Sequence, residues 1–293
     1  VSGEVQLKIP QTCVVNLHGV RPEGVEAKDI VLHLLRLPYV REGGGIGQVF
    51  EFRGDVVKKL STDERATLTN MVAEMGGFTG IVVPDEETKQ FLKDRRGIDF
   101  ELQNWMHSDP DAEVAHTIDI DCTTLSPMLA QPGDPGRGIE ISGLASPVRI
   151  DIAYGGSCTG GKREDLERVY EVLCWAEKHG KKIAPHVRFI LQFGSQDVRN
   201  FCEQKGMLDL FRRIGAELIE PGCGACVNAG PGVSEHPDQV TVSAINRNFP
   251  GRSGPGKVWL ASPSTVAASA VAGQIVSFAM LRKNKSNTFN EVV

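Results

Sequence analysis

The second half of the sequence alternates without interruption between short strand-like runs and helical patterns. "VRIDIAYGGSC", "HVRFILQFGS", "AELIEPGCGAC" and "QVTVSAINRNF" read as strands that run into loops. Between them, Glu164–His179 places Leu166, Val169, Tyr170 and Leu173 on one helical face, and "QDVRNFCEQKG" and "MLDLFRRIG" follow as two more helices. Strands joined by crossover helices lie parallel, and such sheets are covered by helices. The fold class is therefore α/β. In open α/β sheets ligands bind beyond the carboxyl ends of the strands, so loops far apart in sequence can meet at one site.

The first half is less regular. "GEVQLKIPQTCVVNLHGVRP" alternates apolar and polar residues from Val5 to Leu17 and reads as two strands. "VEAKDIVLHLLRLP" has helical spacing through Ile30, Leu34 and Leu35 and is expected to end at Pro38. A Gly-rich loop leads into a strand Gln48–Arg53. Ser61 or Thr62 caps a helix that Gly76 and Gly77 close. "TGIVVP" and "AHTIDIDCTTL" read as further strands. The Pro/Gly-rich stretch Ala130–Pro147 is the best linker candidate.

Three loops carry chemistry. "YGGSCTGGKRED" holds Cys158, "PGCGAC" holds Cys223 and Cys226, and "NRNFPGRSGPG" holds Asn246, Arg247 and Arg252. All three cysteines follow a strand and sit among glycines, which let backbone N–H groups approach a thiolate or sulfide. Cys13, Cys122, Cys174 and Cys202 fall inside strands and helices and read as small core residues. Three thiolates are one short of a closed four-cysteine site, which points to a [4Fe–4S] cluster with one iron left open to ligand. Zinc completed by His236, a redox dithiol, and three unliganded thiols are the other readings that the spacing allows. Arg247 and Arg252 flank a turn and have the fork geometry that grips carboxylates. "GRSGPGK" is not a phosphate-binding loop, because Val258 stands where Ser or Thr must hold Mg²⁺. "GGGIGQ" lacks the third glycine of a dinucleotide fingerprint.

Composition narrows the class of partner. A net charge of −5 gives no reason to expect nucleic acid or an anionic membrane. Seven cysteines without regular spacing do not make a disulfide framework, and free thiols imply a reducing compartment, here the cytoplasm. No secretory leader is seen at the front. Ala261–Leu281 is uncharged and long enough to span a bilayer, but its Ala, Ser and Thr content marks a buried small-residue helix instead.

"GGSCTGG", "PGCGAC" and "SAINRNFPGRSGPGKVWLASPSTVAASAVAG" resemble the large-subunit family of 3-isopropylmalate dehydratase in the aconitase superfamily. "LKIPQTCVVNLHGVRPEGVEAKDIVLHLL" and "LSTDERATLTNMVAEMGGFTGIVVPDEET" are similar to its middle region, so the likeness runs over nearly the whole chain. It implies three-layer α/β/α domains of the aconitase large-subunit type. It implies a [4Fe–4S] cluster held by Cys158, Cys223 and Cys226, with Asn246, Arg247 and Arg252 binding substrate carboxylate. Asn70 and Glu74 match positions that face the cluster and its water in that family, and four residues apart they would share one helix face.

The activity implied is that of a hydro-lyase on a 2-hydroxy di- or tricarboxylic acid, foremost isopropylmalate. Homoaconitate, dimethylmalate, citrate/isocitrate, or a non-catalytic cluster- or metal-binding role are the alternatives. The family's catalytic serine sits on a swivel domain that is here expected as a separate small subunit. Gly160 departs from the family's Cys-Thr-Asn. The family also carries a longer stretch before "LKIP", so an N-terminal large-subunit piece on another polypeptide, a fragment, or a loss of function is implied.

On this reading residues 1–20 are a remnant of a first α/β domain, 21–129 a second, 130–147 a linker, 148–285 the third domain with the cluster cysteines, and 286–293 a tail.

Overall fold

The computed structural model describes residues 3–283. It contains two units. One comprises the residues up to Arg21 together with Pro38–Thr124, the other Pro22–Leu37 together with the residues from Leu125 on. Both are α/β, as the alternation predicts.

The first unit is built on four parallel strands, β1 (Thr12–His18), β2 (Val49–Arg53), β3 (Thr79–Val82) and β4 (His116–Asp121), in the order β3-β2-β1-β4. Cys13, Val14 and Val15 are buried in succession, as a central parallel strand requires. In β4 only alternate residues, Ile118 and Ile120, are buried, as befits an edge strand with one wet face. Only one strand forms in the stretch expected to hold two. Pro10 cannot donate to a ladder, and Leu7 and Ile9 ahead of it are exposed. Within the stretch 1–20, expected as a remnant of a first domain, Thr12–His18 pairs with β2 on one side and β4 on the other.

The helix Thr62–Asn70 starts as expected, with Ser61 Oγ accepting the Glu64 amide at 3.1 Å. It tightens into a 3₁₀ turn, Met71–Met75, which Gly76 closes in the left-handed region at φ 77°. Cys122 falls in a 3₁₀ turn after β4, not in the strand.

The second unit has seven strands: β5 (Met128–Ala130), β6 (Gly138–Glu140), β7 (Ile152–Gly156), β8 (Arg188–Gln192), β9 (Ala216–Ile219), β10 (Val240–Ser243) and β11 (Lys257–Ala261). Their order is β6-β5-β11-β10-β7-β8-β9. β5 runs antiparallel to β11 and to β6, and the other pairs are parallel. The stretch expected as a linker therefore supplies sheet strands. Its Pro/Gly content serves the turn between β5 and β6, where Asp134 Oδ1 accepts the Gly136 amide at 2.7 Å and Arg137 binds the Pro132 carbonyl at 2.9 Å. From β7 the chain steps outward to β8 and β9, then returns to the other side of β7 as β10 and β11. The order reverses between β7 and β10.

Helices Arg163–Lys178, Met207–Ile214 and Pro263–Ala272 pack Leu166, Val169, Leu173, Phe211 and Val266 into one core with Ala153, Phe189, Leu191 and Val242 of the strands. The helix Ala27–Leu35 also belongs to this unit and not with residues 38–124. It is apolar around its circumference, with Ile30, Val31, Leu32, Leu34 and Leu35 all buried, so it needs an interior. The uncharged run is not one helix. Gly273 stops Pro263–Ala272 at φ 75°, and a separate helix, Phe278–Lys283, follows. Among the described residues no helix is long and apolar enough to cross a membrane. The expected end at 285 and tail 286–293 lie outside the described residues.

Candidate functional site

The three chemistry-bearing loops leave the carboxyl ends of β7, β9 and β10, and β7 and β10 are the two strands that flank the reversal. That is where a crevice opens in such sheets.

β7 ends at Gly156 (φ 105°), whose missing Cβ leaves room for the backbone of Gln192 at the end of β8. Ser157 follows at φ 72°, a left-handed conformation that costs a non-glycine residue about 1–2 kcal/mol. Its Oγ accepts the Thr159 amide at 3.3 Å. This sharp turn presents Cys158 at the surface while Ser157 and Thr159 stay buried. The expected departure at Gly160 has a steric reason, since a Cβ there would stand 2.6 Å from Ala244 Cβ. The Cys158 turn thus packs directly on the residue that follows β10. Lys162 closes the turn, with Nζ donating to the Thr159 carbonyl and to Asp165 Oδ2, both at 2.5 Å.

After β9, Cys223 precedes a 3₁₀ turn, Gly224–Val227, and its carbonyl accepts the Cys226 amide at 3.0 Å. Gly224 (φ 51°) is needed here, because a Cβ would press to 2.8 Å from Tyr154 Oη and 3.0 Å from Gln192 Nε2. Those two side chains hydrogen-bond at 2.8 Å, and Gln192 also donates to the Glu220 carbonyl. Burial pushes the Tyr154 hydroxyl up to about 12, so it stays protonated beneath the loop.

The loop after β10 closes over the cysteine turn. Cys226 Sγ donates to Asn246 Oδ1 at 3.5 Å, and Arg252 Nη2 donates to Cys226 Sγ at 3.4 Å. Ser253 Oγ donates to the Ala225 carbonyl at 2.7 Å, stapling the loops together. Arg252 Nε is buried without an acceptor. Asn248 Nδ2 donates to the carbonyls of Gln131 and Val258 at 2.8 and 2.9 Å, while its Oδ1 is buried without a donor. Arg247 is half-buried.

The structure therefore brings Cys226, Asn246 and Arg252 into contact, holds Cys223 on the same turn as Cys226, and sets Cys158 on the loop packed against Ala244. All seven cysteines are free thiols. Asn70 ends an α-helix and Glu74 lies in the 3₁₀ turn beyond it, both in the first unit. In a 3₁₀ turn residues three apart eclipse, so the shared helix face expected from the four-residue spacing is not kept.

Sequence reading passed over the start of the helix Ala27–Leu35. Lys28 is buried, and its Nζ donates to the Ala244 carbonyl at 2.5 Å and to that of Ile245. Asp29 accepts the Glu26 and Met128 amides at 2.7 and 2.8 Å. Burial pushes Asp29 up and Lys28 down, each to about 7. Burial, with Asp29 adding to it, also raises the half-buried Glu26, whose carboxylate is held by Ser264. The signal was available: "AKDIVLHLL" is apolar on every face, so charges at its start have no route to water.

Among the described residues no three His, Cys, Asp or Glu side chains gather closely enough to hold one metal ion. A mononuclear zinc site with His236 is thus not formed; His236 lies in an exposed turn with its amide on Gln239. An iron–sulfur cluster asks for something different. Each cysteine binds a different iron, so the thiolates stand further apart than the ligands of one ion. The donor set fits that demand: two exposed thiols, a third half-buried under an arginine, and an orphaned Arg252 Nε beside them.

Residues 1–273 match the model of the aconitase family (aconitate hydratase). The large subunit 1 of 3-isopropylmalate dehydratase from Methanopyrus kandleri is 36% identical over 276 residues, 94% of this chain and 63% of that protein. The corresponding protein of Thermotoga maritima is 36% identical over 93% of this chain and 64% of its own length. The large subunit from Geobacter sulfurreducens is 37% identical over 94% and 64%. The chain thus spans a little under two thirds of the length of these relatives.

Proposed function

The chain belongs to the aconitase family, and from that premise we propose that it is the cluster-binding part of a hydro-lyase large subunit whose substrate is isopropylmalate. The observation that carries this reading is the contact of Arg252 with Cys226 and of Cys226 with Asn246. Arg252 sets one Nη2 on the sulfur and leaves its buried Nε without an acceptor, so the same guanidinium has capacity to grip a carboxylate beside a sulfur-bound group.

Cys158, Cys223 and Cys226 would hold a [4Fe–4S] cluster, which when bound supplies an open-corner Lewis acid for the hydroxyl and carboxylate of a 2-hydroxy acid. The chain's own residues do the rest of the binding. Arg252 and Arg247 offer planar forks to the carboxylates, and charge-assisted bonds of this kind are about twice as strong as neutral ones. Asn246, buried, accepts from Cys226 through Oδ1 and is assigned with the arginines to the substrate carboxylate. Asn70 and Glu74 are assigned to the proton transfer that accompanies loss of water. The serine that removes the carbon-bound proton is assigned to a partner chain, a small swivel subunit. Free thiols suit this chemistry to a reducing cytoplasm.

The test is anaerobic iron–sulfide reconstitution of the chain, with metal counting and electron paramagnetic resonance after mild oxidation. About three to four irons per chain are expected, lost in Cys158→Ser, Cys223→Ser and Cys226→Ser and retained in Cys174→Ser. One tightly held zinc and no iron would sink the reading.

A further inference from the structure

Asn246 and Arg247 occupy a two-residue span whose backbone is tied down on both sides by buried side chains. On the near side Lys28, 2% exposed, bonds the carbonyls of Ala244 and Ile245. On the far side Asn248, also 2% exposed, bonds the carbonyls of Gln131 on β5's exit and Val258 on β11. Lys28 comes from a helix more than two hundred positions earlier, so this is no local turn interaction.

The choice of residue is informative. Burying an ammonium is costly, and a methionine of similar length would fill the same space without that cost. Two carbonyls do not need a charge to be satisfied, and a peptide N–H would serve. What the lysine adds is stiffness at one place, the two carbonyls that immediately precede Asn246. The charges that act on it come from several elements: Asp29 on its own helix, Asp165 and Lys162 at the start of the helix after the Cys158 turn, and Cys226. Lys162 performs the same service for the neighbouring loop, holding the Thr159 carbonyl while paired to Asp165 at 2.5 Å. Each of these two loops thus rests on a lysine.

We propose that Lys28 is a positioning residue: its ammonium fixes the Ala244 and Ile245 carbonyls so that Asn246 and Arg247 meet the substrate carboxylate in one preset conformation. The proposal rests on the assignment of those two residues to carboxylate binding. Its logic is preorganisation, in which a loop held in its bound shape loses less freedom when the ligand arrives. Lys28 does not touch substrate.

Lys28→Met keeps the stem and removes the charge. In the ligand-free chain, hydrogen–deuterium exchange of the peptide Ser243–Asn248 is expected to quicken about tenfold or more, with the Ile152–Gly156 and Arg188–Gln192 strands unchanged. In the reconstituted chain, calorimetric affinity for 2-isopropylmalate is expected to fall about tenfold. Faster exchange with unchanged affinity, or unchanged exchange, overturns the proposal. Should Lys28→Met not fold, Lys28→Gln reads the same two quantities. If neither folds while Asn248→Ser does, Lys28 holds the fold and not the loop, and the proposal is wrong. A wild-type chain that takes up iron but ignores 2-isopropylmalate would sink the substrate reading first and this proposal with it, whereas equal binding by wild type and Lys28→Met sinks this proposal alone.

Discussion

Arg252 Nη2 lies 3.4 Å from Cys226 Sγ, joining two loops whose contact residues are 26 positions apart. The same side chain keeps Nε buried without an acceptor. An arginine half committed to sulfur and half uncommitted is poised between two tasks, orienting the Cys226 sulfur and receiving an anion.

Arg252→Lys is therefore not a conservative change. Lysine keeps the charge but cannot span both positions. Loss of one charge-assisted bond costs about 1.5–3 kcal/mol, a factor of roughly 10–150 in affinity for the dicarboxylate. Calorimetry on the reconstituted chain measures it, and the melting temperature should move little because Arg252 is not a core residue. An affinity within twofold of wild type would remove Arg252 from the carboxylate site.

Gly160 gives a packing prediction. The added methyl of Gly160→Ala meets Ala244 Cβ at 2.6 Å, and overpacking of this kind costs about 1–3 kcal/mol. Thermal unfolding should show that loss, and Ala244→Gly in the same chain should recover most of it. Independent, additive effects of the two changes would mean that the Cys158 turn and the end of β10 do not press on each other.

The α/β class, most elements of the second unit and the three loops were legible because each strand is followed by its own glycines, and backbone rules are local. Domain boundaries were not. The stretch Ala130–Pro147 looks like a linker because turns and linkers share Pro and Gly, and only long-range pairing, Leu129 with Ala261 and with Ile139, turns it into an edge hairpin. β1 was set apart from the strands it joins for the same reason. That Cys158, Cys223, Cys226 and the arginine loop lie beyond strand ends was readable from composition and order. Lys28 and Asn248 were not, because their role is to hold backbone that lies far away in sequence, and no spacing rule encodes that.

Thiol chemistry should sort the seven cysteines by position. Cys158 and Cys223 are exposed, and Cys226 and Cys174 half-buried. Cys13 and Cys122 are buried, their thiols pushed up to about 11, and Cys202 to about 12, by loss of solvation. Brief iodoacetamide treatment of the metal-free chain, read by peptide mass spectrometry, is expected to label Cys158 and Cys223 first and to leave Cys13, Cys122 and Cys202 unmodified until unfolding. Reconstitution should then protect Cys158, Cys223 and Cys226 together while Cys174 keeps its rate. Protection of Cys223 and Cys226 without Cys158 would mean that the group bound is not a three-cysteine cluster.

The buried charges at the start of the helix Ala27–Leu35 predict how stability depends on pH. Asp29 titrates near 7 in the folded chain and near 3.8 when exposed. Between those values the folded chain keeps a proton that the unfolded chain has released. The stability this group contributes is complete below the lower value and is lost as pH rises through 7. Lys28 behaves in the opposite sense. It titrates near 7 folded and 10.5 unfolded, so its penalty is full below 7 and fades as pH climbs to 10.5. Glu26, raised in the same direction as Asp29, deepens the falling limb. Together they give a valley of stability near neutral pH, with limbs no steeper than about 1.36 kcal/mol per pH unit for each proton. Asp29→Asn should weaken the chain at every pH, because Asn offers one acceptor oxygen to the two amides that Asp29 binds with two, but it should also flatten the acidic limb by about one proton. Lys28→Met should flatten the alkaline limb instead. Urea unfolding across roughly pH 5 to 9 separates the two. Parallel profiles for wild type and Asp29→Asn would show that Asp29 does not change its charge over this range.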